Sequence, residues 1–162
     1  HPHVYGESDV ETTDGVLRQW DEIKAEEKGG TPKKYLDKVG EGFPGLLRAK
    51  EIQKQVAKVG FDWDNSEDVI AKVREEFAEV ETELESGNRQ LLGEEIGDLL
   101  FSIVNLARKE GMCAESLLAA TNEKFIDRFH KVESGLNGEG KSLEDATLEE
   151  MDAAWERAKG KK

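Results

Sequence analysis

Apolar residues recur along most of this chain at helical spacing, and nowhere do they alternate convincingly as in a strand. Residues 1–13 are polar and without period. Val16, Leu17, Trp20 and Ile23 then form one side of a helix over 14–28, with Thr13 or Asp14 as N-cap. The stretch 29–45 holds five glycines and two prolines and reads as a linker or irregular loop. Pro44 opens a helix to about Lys58, with a stripe of Leu46, Leu47, Ile52, Val56 and Val59. Gly60 ends it, and Phe61-Asp62-Trp63 forms a tight, aromatic connection in which Trp63 reads as structural. Ser66 is the expected N-cap of a helix reaching Ser86, with Glu67 and Asp68 well placed in its first turn. Gly87-Asn88 stops it. Further helices are expected over 89–110, 114–133 and from Thr147 to about Lys159, with a Gly-rich, mobile segment at 134–146. No internal repeat appears. The pattern predicts an all-α fold of antiparallel helices with short connections.

Two of these helices carry acidic pairs. Glu76 and Glu79 lie three apart on the first, Glu95 and Asp98 three apart on the next, so each pair shares a helix face. On the first acidic helix the apolar stripe is Val69, Val73, Phe77, Val80 and Leu84. Glu76 falls roughly 60° from its centre and Glu79 roughly 120°, on the flank that also holds Lys72 and Glu83. That alone describes a solvated flank as well as a site. The second acidic helix is apolar nearly all round, from Ile96 through Leu106, which predicts burial on most sides. Its polar residues Glu95, Asp98, Ser102 and Asn105 form one narrow stripe. Carboxylates along a buried helix are costly unless paired or bound to metal, and grouped carboxylates suit Mg²⁺.

The third helix of this set has a core stripe of Leu118, Thr121, Phe125, Phe129 and Val132, with Asn122, Lys124 and Arg128 beside it. Lys124 and Arg128 suit either salt bridges to the carboxylates or a polyphosphate held with Mg²⁺. Trp155, late in a polar helix, must pack on the body of the protein or offer a platform to a ring.

Composition narrows the functions open to the chain. Its 162 residues suffice for one domain with a core. Apolar and charged residues each make up 36%, a balance that fits amphipathic helices or a core completed by a partner. A net charge of −13 disfavours nucleic acid and anionic membranes and favours divalent cations. The single cysteine, Cys113, excludes an internal disulfide, reads as a small residue packed near a helix start, and points to an intracellular origin. His1, His3 and His130 make no zinc-like set, and no apolar run approaches membrane-spanning length.

The acidic pattern resembles that of the MazG family of nucleoside triphosphate pyrophosphohydrolases, all-α proteins related in fold to dimeric dUTPases. Glu76-Phe77-Ala78-Glu79, fifteen residues, then Glu95-Ile96-Gly97-Asp98 reproduces the family's E-x-x-E, spacer, E-x-x-D. LLRAKEIQKQVAKVGFDW, KVREEFAEV, EEIGDLLFSIVNLAR and NEKFIDRF, in that order, resemble the C-terminal catalytic domain of two-domain bacterial MazG proteins. The resemblance divides the chain into a tail and interdomain connector, 1–42, and a catalytic domain, 43–162, and accounts for a start at His1. It implies an antiparallel bundle completed by homodimerisation. It implies Mg²⁺, for which Mn²⁺ may substitute, on Glu76, Glu79, Glu95 and Asp98. It implies triphosphate contacts from Lys72, Lys124 and Arg128, a nearby nucleotide for Trp155, and a phosphate or metal contact for Asn122. Relatives can carry a lysine where this chain has Leu91, and Arg89 is the available substitute.

The expected reaction is hydrolysis of nucleoside triphosphates, ribo or deoxy, to monophosphate and pyrophosphate, with broad base choice and a cytoplasmic, nucleotide house-cleaning role. Two rivals stand beside it. A helical interaction module, or a fragment that needs its companion domain, would show no activity. A di-metal carboxylate oxidase would want Glu-x-x-His motifs, and neither acidic motif contains His.

Overall fold

The computed structural model describes residues 33–160, so the helix expected over 14–28 lies outside the described residues. Among them the regular elements are five α-helices and no strand: α1 Gly45–Ala57, α2 Ser66–Ser86, α3 Arg89–Lys109, α4 Ala114–Gly138 and α5 Leu148–Lys159. The fold is all-α. The chain divides into two compact units, with the break between Glu115 and Ser116.

In the first unit α2 and α3 pack along each other and α1 packs on α3. The caps are local chemistry. Asn65, rather than Ser66, caps α2, its side chain accepting from the Asp68 amide at 2.9 Å. Ser66 is already helical, and its hydroxyl bonds Glu110. Gly87 leaves α2 at φ 76°, a left-handed conformation natural only to glycine, and Asn88 at once caps α3 by accepting from the Leu91 amide at 3.1 Å. Two residues therefore reverse the chain. Gly60, buried at φ 89°, turns it after α1, and the Phe61 amide returns to the Val56 carbonyl at 3.0 Å.

Val69, Leu92 and Val104 are the buried apolar residues of this unit, and with them are buried three polar ones, Gln53, Glu76 and Ser102. Two expectations are corrected here. On α2, Phe77 and Leu84 are exposed while Glu76 is buried. On α3, Ile96, Leu100 and Ile103 are exposed, and Ser102 on the opposite face is buried. Helical period identifies an apolar face; it does not say that the same chain covers it.

The second unit is built on Val132, Leu136 and Ala154, against which Phe129, Leu143, Met151 and Trp155 pack. α4 runs to Gly138, beyond the expected stop near Gly135, because the buried Leu136 holds its last turn in place. Leu118, Thr121 and Phe125, expected in the core, are exposed, since α5 is only 12 residues long and buries chiefly the 129–136 part of α4. The segment after α4, expected to be mobile, closes in defined turns: the Lys141 amide donates to the Leu136 carbonyl at 2.9 Å, and Ser142 bonds Asp145. Thr147 and Glu150 form a reciprocal capping box at the start of α5. Lys141 pairs with Glu150 and, with the Thr147 amide, holds the Glu150 carboxyl down to about 2.

No helix among the described residues is long and apolar enough to cross a membrane.

Leu136→Ala should cost about 2–5 kcal/mol in urea unfolding, whereas Leu148→Ala, at a site 70% exposed, should stay within about 0.5 kcal/mol. Glu150 has a folded pKa below its ordinary 4.5. Its stabilising contribution is therefore complete above that value and is lost as pH falls toward about 2. Glu150→Gln should flatten the acid limb of the stability profile, measured by thermal melts from pH 6 to 2.5.

Candidate active site

The two-residue turn sets the register of the acidic pairs. Counted from Gly87, Glu76 and Asp98 are each eleven residues away, Glu79 and Glu95 each eight, and Lys72 and Ser102 each fifteen. With equal rise per residue on both helices, members of each pair lie at the same height along the hairpin. One carboxylate oxygen each from Glu76, Glu95 and Asp98 accordingly lies within 4.8 Å of the other two. Glu79 is exposed and stands outside this group of three.

Lys72, one turn before Glu76, pairs with it at 2.9 Å and with Glu75 at 3.2 Å. Burial alone would lower the Lys72 pKa, but the two carboxylates outweigh it and raise it. Glu76 is 8% exposed and has one cation at hydrogen-bond distance. At Glu95, loss of solvation, then the charges of Asp98, Glu79, Glu76 and Glu83, push the carboxyl above the ordinary glutamate value. Like charges gathered this way raise a carboxyl pKa and invite a counter-ion.

Glu76, Asp98 and Lys72 stand on the wall of a cavity of about 390 Å³, within the size range of small-molecule sites. Ser102 and Asn105 continue the polar stripe of α3 along it. Aromatic and apolar residues line it too: Phe61, Trp63, Phe101, Ile52 and Val56. The 61–63 connection is clamped onto the C-terminal end of α3. Arg108 donates to both oxygens of Asp62, at 2.5 and 3.3 Å, and to Asn105 Oδ1. Lys109 reaches Asp62 at 3.4 Å and the Trp63 carbonyl at 2.6 Å. Burial pushes the Asp62 carboxyl up, yet Arg108, the Trp63 amide and Lys109 hold it below its ordinary value. Gln53 of α1 enters the same wall, donating from Nε2 to the Phe101 carbonyl at 2.9 Å.

Of the residues singled out by sequence, the structure brings Lys72, Glu76, Glu95 and Asp98 together. Arg128 and Trp155 belong to the second unit, where the Arg128 guanidinium lies 5.0 Å from the centre of the Trp155 ring and Phe125 packs at 5.0 Å on its other contact. Asn122 and Lys124 are exposed on α4. Trp63 was expected to serve only the turn, and it also lines the cavity. Gln53, Asp62 and Arg108 escaped sequence reasoning. The only hint of them was a polar Gln53 one residue beyond Ile52 of the stripe, and an Asp62 flanked by two aromatics.

The three converging carboxylates fit a hard divalent cation. Such ions take oxygen ligands, and opposite oxygens on an octahedral Mg²⁺ stand about 4.2 Å apart, close to the spread seen here. Because the folded pKa of Glu95 is raised, its stabilising share is present below the ordinary value of 4.5 and lost as pH rises through the folded one. At pH 7 and without divalent ions, Glu95→Gln should therefore melt above the parent protein. Added Mg²⁺ should raise the parent's melting temperature and move the variant's much less. A variant that melts lower at pH 7, or gains as much from Mg²⁺, contradicts the crowding account.

Residues 64–133 match the MazG nucleotide pyrophosphohydrolase domain family. The chain is 40% identical over 160 residues to a nucleoside triphosphate pyrophosphohydrolase/pyrophosphatase MazG of Thermotoga maritima, covering 99% of this chain and 60% of that protein. It is 41% identical over 162 residues to a nucleoside triphosphate pyrophosphohydrolase of Escherichia coli K12, covering 98% and 62%. It is also 41% identical to an uncharacterized protein, YabN, of Bacillus subtilis, of which it spans 33%. The chain thus spans about three fifths of the length of the two named hydrolases, and what it resembles throughout is a MazG-type pyrophosphohydrolase region.

Proposed function

We propose that this chain is the catalytic, C-terminal part of a MazG-type enzyme and hydrolyses nucleoside triphosphates, ribo or deoxy, to monophosphate and pyrophosphate with Mg²⁺. The observation that carries the reading is the meeting of Glu76, Glu95 and Asp98 within 4.8 Å at a cavity that also holds Lys72 and an aromatic wall. The relatives named as pyrophosphohydrolases support it.

Glu76, Glu79, Glu95 and Asp98 would hold the metal. Bound there, Mg²⁺ would lower the pKa of water and neutralise charge building on the phosphates. The chain's own groups do the rest. Glu76, buried and held by Lys72, orients the attacking water. Water oxygen bonds to phosphorus and gives up a proton to solvent, the α–β bridging bond breaks, and the leaving pyrophosphate takes the electron pair. Lys72, which can turn from Glu75 and Glu76 toward substrate, stabilises that charge together with Lys124 and Arg128. Asn122 adds a phosphate or metal contact, and Trp155, already carrying Arg128 on its face, lies near the nucleotide. A cytoplasmic place and a house-cleaning role complete the reading. Neither nucleic acid nor membrane is a partner, in keeping with the net charge of −13.

The same reading includes a homodimer. Ile96, Leu100 and Ile103 form an exposed apolar stripe on the face of α3 opposite Asp98 and Ser102, and a stripe of that kind marks an interface.

Pyrophosphate release from a panel of nucleoside triphosphates should require Mg²⁺ and stop with EDTA. A Glu95→Ala/Asp98→Ala double variant should lose at least about 100-fold in kcat, the upper end of what even outer-shell changes cost a metal site. Full activity in that folded double variant would sink the assignment; no activity from the parent would favour an interaction module or a fragment lacking its companion domain. Leu100→Glu should shift the protein toward monomer in sedimentation equilibrium, and an unchanged mass would remove α3 from the interface.

A further inference from the structure

Gln53 is the one described residue with a buried side-chain polar atom that has no hydrogen-bond partner, its Oε1. The residue is 2% exposed and stands on the cavity wall among Phe61, Trp63 and Phe101. Its amide cannot be turned round without loss: Nε2 donates to the Phe101 carbonyl at 2.9 Å, and a carbonyl can only accept. The free end of the amide is therefore an acceptor. A buried acceptor left unpaired is unfavourable, a cost a bound ligand would remove. Flat side chains, Phe61, Trp63 and Phe101, line the same cavity as Lys72, Glu76 and Asp98, so it offers contacts both to a ring and to phosphate.

We propose that Gln53 determines base preference, its Oε1 accepting an exocyclic amino N–H of a nucleobase lodged against Trp63 and Phe101. This rests on the nucleotide reading of the site and deepens it. An amino group is the donor that fits. Oε1 is recessed, and an amino group projects beyond the ring toward it. A ring imino N–H lies within the ring outline, and in uracil it is flanked by two carbonyl oxygens that would face Oε1 and repel it. The pocket should thus favour adenine and cytosine over analogues in which the amino group is absent.

The test uses matched pairs that differ in that group alone: ATP against purine riboside triphosphate, and CTP against pyrimidin-2-one riboside triphosphate. Parent protein should favour the amino-bearing member of at least one pair by about 10-fold in kcat/KM, the worth of one buried hydrogen bond. Gln53→Met, similar in volume and without the acceptor, should bring the ratio within about twofold by loss on the amino-bearing member. Equal rates within both pairs for the parent, or an equal loss on both members in the variant, would overturn the proposal; the latter would mean that Gln53 only ties α1 to α3. A dATP arm separates base from sugar: a penalty for the missing 2′-hydroxyl in place of one for the missing amino group also overturns it. Calorimetric binding of the uncleavable α,β-methylene analogues of each pair to the parent needs no variant. A binding preference without hydrolysis would sustain the role of Gln53 and refute the hydrolase reading; equal binding would refute the role of Gln53 alone; no binding of either member would refute both.

Discussion

Like charge held at short range is the constraint around which the first unit is organised. Three carboxylates meet where two helices run side by side, and a lone ammonium from Lys72 answers them. Unmatched charge in a partly dry setting is unfavourable, so the rest of the unit has to hold these helices against that repulsion. It does so by the short turn at Gly87-Asn88, by Val69, Leu92 and Val104 between the helices, and by the Asp62–Arg108–Lys109 ion pairs at the far end. Carboxylates crowded in this way offer oxygen ligands to a divalent cation.

The cavity owes its polar character to the same hairpin. Its polar lining comes from α3 with Lys72 and Glu76 of α2; its apolar and aromatic lining comes from Ile52 and Val56 of α1, Phe61 and Trp63 of the connection and Phe101 of α3. Arg108 spends its donors on Asp62 and Asn105, and Lys109 holds the Trp63 carbonyl, so the aromatic wall is fixed by charge at its base. Polar and apolar lining therefore meet on α3, which carries both Asp98 and Phe101. That combination suits a ligand that is itself anionic at one end and flat at the other.

Much of this was legible in the sequence because it depends on local rules. Helical period placed Glu76 beside Glu79 and Glu95 beside Asp98, and Gly87-Asn88 showed where the chain reverses. The narrow stripe Glu95, Asp98, Ser102, Asn105 is only partly covered: Ser102 is buried, Glu95 and Asn105 are half-buried and Asp98 is exposed. What failed was the inference from apolar to buried. Phe77, Leu84, Leu100 and Phe125 are exposed, since period reports a face and only tertiary contacts report its cover. The cap of α2 slipped by one, because Asn65 and Ser66 are both good caps and only backbone geometry chooses between them. Gln53, Asp62 and Arg108 stayed invisible, because their roles come from pairings 46 to 48 residues apart in the chain. No pattern along one helix records such pairings.

The two-residue reversal between α2 and α3 also bears on how such a chain can change through evolution. Each added or lost residue within a helix rotates everything beyond it by about 100° and shifts it by about 1.5 Å. A single insertion between Glu79 and Glu95 would swing one acidic pair away from the other while leaving both helices intact and well formed. Point substitutions in that spacer can accumulate wherever they keep the helices; changes in its length cannot. The fifteen residues from Val80 to Glu94 act as a ruler whose length, more than its spelling, is under constraint.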